Sequence, residues 1–271
     1  MRQLFYVVGK ERTVMINSTS NKQIKNLIQL QTKAKARREQ QLYVVEGIRM
    51  YREIPKNCLV KTYVSESFYN KEENRAQIKE GEAEIVVDHV FAAASDTKTP
   101  QGILCVAKQQ TYTLDDMLRS KKPFLMMLED IQDPGNLGTI FRTAEAAGVT
   151  GIIMSSGTAD IYNPKTIRST MGSLYRMPFV VAADFAKTIQ ELQEKRVKIF
   201  AAYLTGSVDY MEADYSSACA LLIGNEGNGL KKETAQMADS CVKISMEGQV
   251  ESLNAAIAAA VLMFEAKRQR R

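Results

Sequence analysis

The strongest constraint on the fold is one apolar run, Phe124-Leu-Met-Met-Leu128, which continues to Ile131 with only Glu129 and Asp130 interrupting it. A run that does not alternate with polar residues has no wet face. It predicts a strand buried on both sides, as in a parallel sheet covered by helices. The sequence that follows fits this expectation. Asp133-Pro-Gly-Asn136 is a turn, with Asn136 placed to cap a helix over 137–147 that ends at Gly148. Leu137, Ile140, Phe141 and Ala144 form its buried stripe, and Arg142 falls outside it. Further strands are expected at 151–155, 179–181, 198–204, 218–223 and 241–245, and helices at 163–172, 184–195 and 230–239. The alternation predicts an open α/β domain with ligand loops at the carboxyl ends of its strands.

The chain closes with an Ala-rich helix after Asn254, in which Leu253, Ile257, Val261 and Phe264 are expected to form the apolar stripe. Its alanines would let another backbone approach closely. Ser252 and Asn254 stand at its start, and the plainest reading of the pair is a helix cap, with Ser the favoured residue. Two upstream loops share the design of a strand, a polar or Gly-rich turn and a helix start. One carries Asn136 and Arg142, the other Gly224-Asn-Glu-Gly-Asn-Gly229. The spacing of these glycines is not that of a dinucleotide fingerprint, and no Gly-Lys-Ser/Thr occurs. Together the three loops fit a pocket made of backbone amides and carbonyls with little charge inside.

The N-terminal half alternates as well. A helix opened by Asn17-Ser-Thr-Ser carries Ile24, Leu27, Ile28 and Leu30, then strands are expected at 42–46, 60–65, 83–87 and 102–107. Helices over 48–54, 72–79 and 90–95 complete a small α/β sandwich. We therefore divide the chain into an extension of uncertain order (1–14), a small domain (15–107), a linker (108–122) and a larger domain (123–271). The turn Thr97-Lys-Thr-Pro-Gln101-Gly puts Gln101 at a loop tip suited to RNA, although ordinary turn chemistry explains it equally well.

The formal net charge is +5, and its distribution says more than its sum. Lys33, Lys35, Arg37 and Arg38 form one cluster, and Lys267, Arg268, Arg270 and Arg271 another. Basic clusters are the footprint of a polyanion partner, although solvated helix faces also collect Lys and Arg. No apolar stretch is long enough to span a membrane, and the first residues do not read as a signal peptide. The four cysteines are scattered without a C-x-x-C pair, and Cys105, Cys219 and Cys241 in apolar strand-like runs read as buried thiols, which argues for a reducing cytoplasm and no zinc site. The sole histidine, His89, leaves little room for a His-based triad or a His metal site.

The three loops carry a specific resemblance. Asn136-Leu-Gly-Thr-Ile-Phe-Arg142-Thr-Ala, Leu222-Ile-Gly-Asn-Glu226-Gly-Asn-Gly-Leu and Ile244-Ser-Met-Glu-Gly-Gln-Val-Glu-Ser252-Leu-Asn254 resemble, in order, the three motifs of the SpoU/TrmH family of RNA 2′-O-ribose methyltransferases in the SPOUT superfamily. Val45-Glu46-Gly47 and Thr99-Pro-Gln101-Gly102 resemble the family's L30e-like substrate-binding domain. One departure is visible: Ser245 stands where the third motif usually has Pro, which should loosen the loop modestly without loss of the fold.

The resemblance implies a SPOUT domain, with a mostly parallel sheet and a deep trefoil knot, behind an L30e-like domain. It implies S-adenosylmethionine as cofactor, held by Gly224, Ile244 and Leu253 with Leu204, Asn225, Gly227 and Met246. Arg142 would organise attack by the ribose 2′-oxygen, helped by Asn136, Glu226, Ser252 and Asn254. Lys33, Lys35, Arg37, Arg38 and Gln101 are the expected RNA contacts, and no metal is expected. The implied partners are RNA, with ribosomal RNA ahead of transfer RNA, and a second copy of the chain docked through the C-terminal helix. A base-methylating SPOUT enzyme and an inactive RNA-binding protein are the alternatives.

Overall fold

The computed structural model describes residues 5–8, 11–78, 82–250 and 252–271. The chain forms two compact units, Met1–Gln110 with Tyr162–Arg168, and Thr111–Ile161 with Ser169–Arg271.

In the first unit an antiparallel ribbon, β1 (Phe5–Val8) and β2 (Glu11–Val14), occupies the stretch read above as an extension. Helix α1 (Lys22–Thr32) starts where the Asn21 side chain accepts the Gln23 amide at 2.8 Å, and it buries Ile24, Leu27 and Leu30. After one extended residue, Lys33, comes α2 (Ala34–Gln40), stopped by the left-handed Gln41. The chain continues through β3 (Leu42–Glu46), α3 (Ile48–Glu53), β4 (Leu59–Ser65), α4 (Glu66–Tyr69), α5 (Glu72–Arg75), β5 (Ala83–Val86), α6 (Asp88–Ala94) and β6 (Ile103–Lys108). The expected helix over 72–79 is therefore shorter, and Lys79 lies outside the described residues. The sheet order is β3-β6-β4-β5; β4 and β5 run parallel and the other pairs antiparallel.

Arg37 departs from the sequence expectation. It is 3% exposed, and its Nη1 donates to the carbonyls of Leu30 (2.7 Å) and Gln31 (3.0 Å). Carbonyls in the last turn of a helix have no intrahelical donor, and Arg37 supplies one. Its guanidinium ties α1 to α2 and is withdrawn from the basic surface, whereas Lys33, Lys35 and Arg38 stay exposed.

The second unit begins with α7 (Leu114–Met117), held by a reciprocal capping box between Thr113 and Asp116. Met117 is buried in this unit's core, so part of the expected linker is core. Then follow β7 (Phe124–Leu128), α8 (Pro134–Ala147), β8 (Gly151–Met154), a helix α9 (Pro164–Thr170) whose residues up to Arg168 belong to the first unit, β9 (Phe179–Val181), α10 (Phe185–Glu194), β10 (Lys198–Ala202), β11 (Val208–Asp209), β12 (Cys219–Ile223), α11 (Lys232–Gln236), β13 (Ser240–Lys243) and α12 (Ala255–Gln269). The seven strands are ordered β11-β13-β10-β12-β7-β8-β9, with every pairing parallel. All five residues of β7 are buried, as the apolar run requires. From β7 the chain steps to β8 and β9 on one side and returns to build the sheet on the other. The carboxyl ends of β7 and β12 thus meet at a topological switch point, where α/β sheets bind ligands.

Two helix starts differ from expectation. Asp133, not Asn136, caps α8: Pro134 takes the first helical position, and the Asp133 carboxylate accepts the Asn136 amide at 2.8 Å. Asn254, not Ser252, caps α12, accepting the amides of Ala256 (2.9 Å) and Ile257 (3.3 Å). The buried face of α12 is also turned. Ala255, Ala256, Ala259, Leu262, Met263 and Ala266 face inward, while Ile257 and Phe264 are 51% and 47% exposed. Contact with α8 explains this, because a face of small residues lets the two backbones approach.

Candidate active site

Each of the three loops leaves the carboxyl end of a strand, and their side chains close on one another. The Glu226 carboxylate accepts three hydrogen bonds at 3.0 Å each, from the amides of Gln132 and Asp133 and from Nδ2 of Asn136. Asn136 turns its other end outward, and its Oδ1 accepts Nδ2 of Asn254 at 3.0 Å. Asn254 in turn holds the first amides of α12. A continuous chain, Glu226–Asn136–Asn254–α12, therefore joins the loops after β7, β12 and β13. Desolvation alone would push the Glu226 carboxyl up; the hydrogen bonds from Gln132, Asn136 and Asp133 outweigh it and hold the group below the ordinary carboxylate range.

The loop after β12 is built to stay closed. Asn225 and Gly229 exchange backbone hydrogen bonds (3.1 and 2.9 Å). The Asn225 side chain accepts the amides of Gly227 (2.8 Å) and Asn228 (3.2 Å) and donates to the Asp130 carbonyl at 2.8 Å. Both ends of that side chain are thus engaged within the protein, and Asn225 serves as the frame of the loop. Glu129, 4% exposed, fixes the loop's far end: its carboxylate accepts the Lys231 amide (2.9 Å) and the Thr234 hydroxyl (2.6 Å).

Beside this frame lies a cavity of about 430 Å³, the size of a small-molecule site. Gly224, Asn225, Gly227, Leu204, Ile244, Met246 and Leu253 all line it, so the residues expected to hold a cofactor come together, and Glu226 and Ser252 join them. Asn136 and Asn254 do not line it: Asn136 bonds the lining residue Glu226, and Asn254 lies between the lining residues Leu253 and Ala255. Arg142 is exposed on α8 and has no hydrogen-bond or ion-pair partner among the described residues. Tyr203 and Thr205 also line the cavity, and the sequence carries no signal for them beyond their place after a strand. Asp133 was readable, since Asp followed by Pro is a strong helix start. Ser245, at the unusual position, donates to the Asp209 carboxylate at 2.7 Å and ties the third loop to β11. A proline there could not form that bond. Glu251 lies outside the described residues.

In the first unit Glu46, almost buried, accepts Ser95 (2.8 Å), Thr97 (2.7 Å) and the Gln101 amide (3.1 Å). The loop that presents Gln101 is therefore rigid, and Gln101 itself is exposed. Among the described residues no cluster of His, Cys, Asp or Glu could hold a metal ion, and no helix is long and apolar enough to cross a membrane.

Comparison with known proteins points the same way. Residues 123–264 match the SpoU rRNA Methylase family, and residues 21–105 match the MRM3-like substrate binding domain. The 23S rRNA (guanosine(2553)-2′-O)-methyltransferase RlmP of Bacillus subtilis (strain 168) is 32% identical over 252 residues, 92% of this chain and 97% of the relative. The AdoMet-bound rRNA methyltransferase from Sinorhizobium meliloti superposes with a TM-score of 0.81 at 31% identity, over 94% of this chain and 97% of that one. The SpoU methyltransferase AviRb from Streptomyces viridochromogenes, solved with AdoMet, gives a TM-score of 0.83 at 25% identity, over 92% and 98% of the two chains.

Proposed function

The chain belongs to the SpoU rRNA methylase family, and on that premise we propose that it transfers a methyl group from S-adenosylmethionine to a ribose 2′-hydroxyl of ribosomal RNA. A guanosine of 23S rRNA is the first target to test, since RlmP acts on one. The observation that carries the reading is the Glu226–Asn136–Asn254 chain, which ties the loop after β7 to the two cavity-lining loops after β12 and β13.

The residues fit the cofactor. The cavity walls combine the backbone of the 224–230 loop with Leu204, Ile223, Ile244, Leu253 and Leu262, while the hydrogen bonds to Glu226 restrain its charge. Backbone donors and acceptors between apolar walls suit an adenine ring. S-adenosylmethionine supplies an electrophilic methyl group when bound, and a dry pocket favours a transfer that disperses charge. A ribose hydroxyl is a very weak acid, and the only histidine, His89, lies on α6 in the other unit. A guanidinium is a poor general base, so the role of Arg142 is to bind the target phosphate and stabilise negative charge growing on the 2′-oxygen. Ser252 orients the ribose at the cavity mouth. Exposed Lys33, Lys35, Arg38 and Gln101 hold the RNA through the first unit.

The trefoil knot of the superfamily is part of this reading, supported by the packing of α12 against both α8 and β12. So is a homodimer, supported by exposed Ile257 and Phe264 on α12. Ribosomal RNA as substrate and free thiols at Cys58, Cys105, Cys219 and Cys241 support a cytoplasmic location. The test is methyl transfer from labelled S-adenosylmethionine to 23S rRNA, with the mark mapped to a 2′-oxygen. Arg142→Ala should lower turnover about a hundred- to a thousandfold while leaving cofactor affinity unchanged. Arg142→Lys should restore little, because a point charge cannot reproduce the guanidinium fork. Wild-type turnover in Arg142→Ala would refute the assignment.

A further inference from the structure

Arg142 has a potential captor on its own helix. Glu145 follows three positions later on α8, and side chains at that spacing share a face. The two are nevertheless not paired. Glu145 is held by Arg176, which donates from Nε to Oε1 and from Nη2 to Oε2, the latter at 3.2 Å. This two-point grip engages both carboxylate oxygens. The Glu145 carboxyl lies below its ordinary value, chiefly through the hydrogen bond from Arg176, with a smaller contribution from Ser173.

Arg176 is placed for this by the local chain. Gly172 takes a left-handed conformation (φ 92°) and starts a 3-10 turn, Ser173–Tyr175. Arg176 closes that turn, with its amide donating to the Ser173 carbonyl at 3.1 Å, and the turn packs on α8. Leu174 and Tyr175 are buried, which fixes the backbone from which Arg176 reaches out. The pair is partly exposed, with side chains 47% and 32% accessible, so it adds little to stability. Its consequence is electrostatic: it decides what charge Arg142 has beside it.

We propose that Arg176 is a positioning residue, which by occupying both oxygens of Glu145 keeps that carboxylate off Arg142 and leaves the Arg142 guanidinium free for the RNA target. The inference rests on the role given to Arg142 under Proposed function. Without Arg176, an uncompensated carboxylate would stand one helical turn from Arg142. It would draw the guanidinium aside and repel the incoming phosphate. A unit charge at such a distance changes a charged encounter on the order of fivefold to tenfold.

The test uses the full chain, labelled S-adenosylmethionine and 23S rRNA, with four variants: Arg142→Ala, Arg176→Ala, Glu145→Gln and the Arg176→Ala/Glu145→Gln double. Single-turnover rate at saturating RNA, KM for RNA and cofactor affinity are measured for each. Arg176→Ala should lower the rate about fivefold to tenfold, with cofactor affinity unchanged. Glu145→Gln should stay near wild type, and the double variant should return to its level. That rescue is a readout a merely structural role would not give. A double variant as slow as Arg176→Ala would overturn the proposal, because Arg176 would then act by touching RNA or by supporting the fold. Wild-type turnover in Arg142→Ala would remove its premise; loss of turnover there with none in Arg176→Ala would sink this inference alone.

Discussion

Asn254 donates its side-chain amide to the Oδ1 of Asn136 at 3.0 Å, across 118 residues of sequence. The same side chain caps α12 with its oxygen, so one residue has two separable duties. Asn254→Asp keeps the capping oxygen but sets a carboxylate against the Asn136 carbonyl. Asn254→Ala removes both. The Asp variant should melt near wild type while losing cofactor affinity and turnover. The Ala variant should lose about 1 kcal/mol of stability as well. Thermal unfolding and calorimetric titration with S-adenosylmethionine distinguish the two, and unchanged affinity in both would show that the tie is idle.

Gly224 allows a second separation. A Cβ there would stand 2.2 Å from the Gly229 carbonyl carbon and 2.2 Å from the Leu230 nitrogen, both of them backbone. The loop cannot close around such an atom, so Gly224→Ala should abolish cofactor binding in a chain that still folds. The three atoms nearest a Cβ at Gly151 all belong to Met117, from its Cγ at 2.3 Å to its Cβ at 2.7 Å, so Gly151→Ala would force α7 to shift. It should cost stability of about 1–3 kcal/mol through overpacking and leave binding intact. Cofactor binding by Gly224→Ala at wild-type affinity would count against this account of the loop.

What the sequence showed and what it hid have physical reasons. Asn136, Glu226 and Asn254 were legible as site residues through their resemblance to the family motifs; by type alone, exposed or half-exposed polar residues at helix starts and turns read as caps or solvated turns. Most of the cavity lining came with Glu226 and Asn254, whose loops supply it. The face of α12 was not legible: both of its sides are apolar, and only the approach of α8 selects the alanines. Arg37 was misplaced because a run of Lys and Arg shows charge without showing which member meets helix-end carbonyls. Asp133 and Asn136 both suit the cap position of α8, and only Pro134 in the first turn decides for Asp133. Tyr203 and Thr205 had no signal, for their role follows from the neighbouring strand β13 and not from their own type.

The basic cluster of the first unit should split in two. Lys35 is exposed, and its contact with Glu39 is a loose surface pair at 3.7 Å. Lys35→Ala should weaken RNA binding evenly across sequences and reduce the salt slope by about one. Arg37→Ala leaves the Leu30 and Gln31 carbonyls without their donor and empties a buried site. It should cost roughly 2–4 kcal/mol of stability, and any effect on RNA should track unfolding. Fluorescence titration at several salt concentrations, beside thermal melts, separates the two; an Arg37→Ala protein of wild-type stability would return Arg37 to the RNA-facing set.

The outward face of α12 predicts assembly. Ile257 and Phe264 are half exposed within one subunit, and Lys267 lies 5.2 Å above the Phe264 ring. In a two-fold interface each residue counts twice, because the same patch faces itself. Burying the exposed half of such a side chain contributes about 1 kcal/mol, so losing one on both sides weakens association by more than an order of magnitude. Aspartate at an exposed position costs an isolated subunit little. Light scattering should find the wild type as a dimer at micromolar concentration, and Phe264→Asp or Ile257→Asp as a folded monomer. A monomeric wild type, or a dimer untouched by both substitutions, would place the interface elsewhere or remove it.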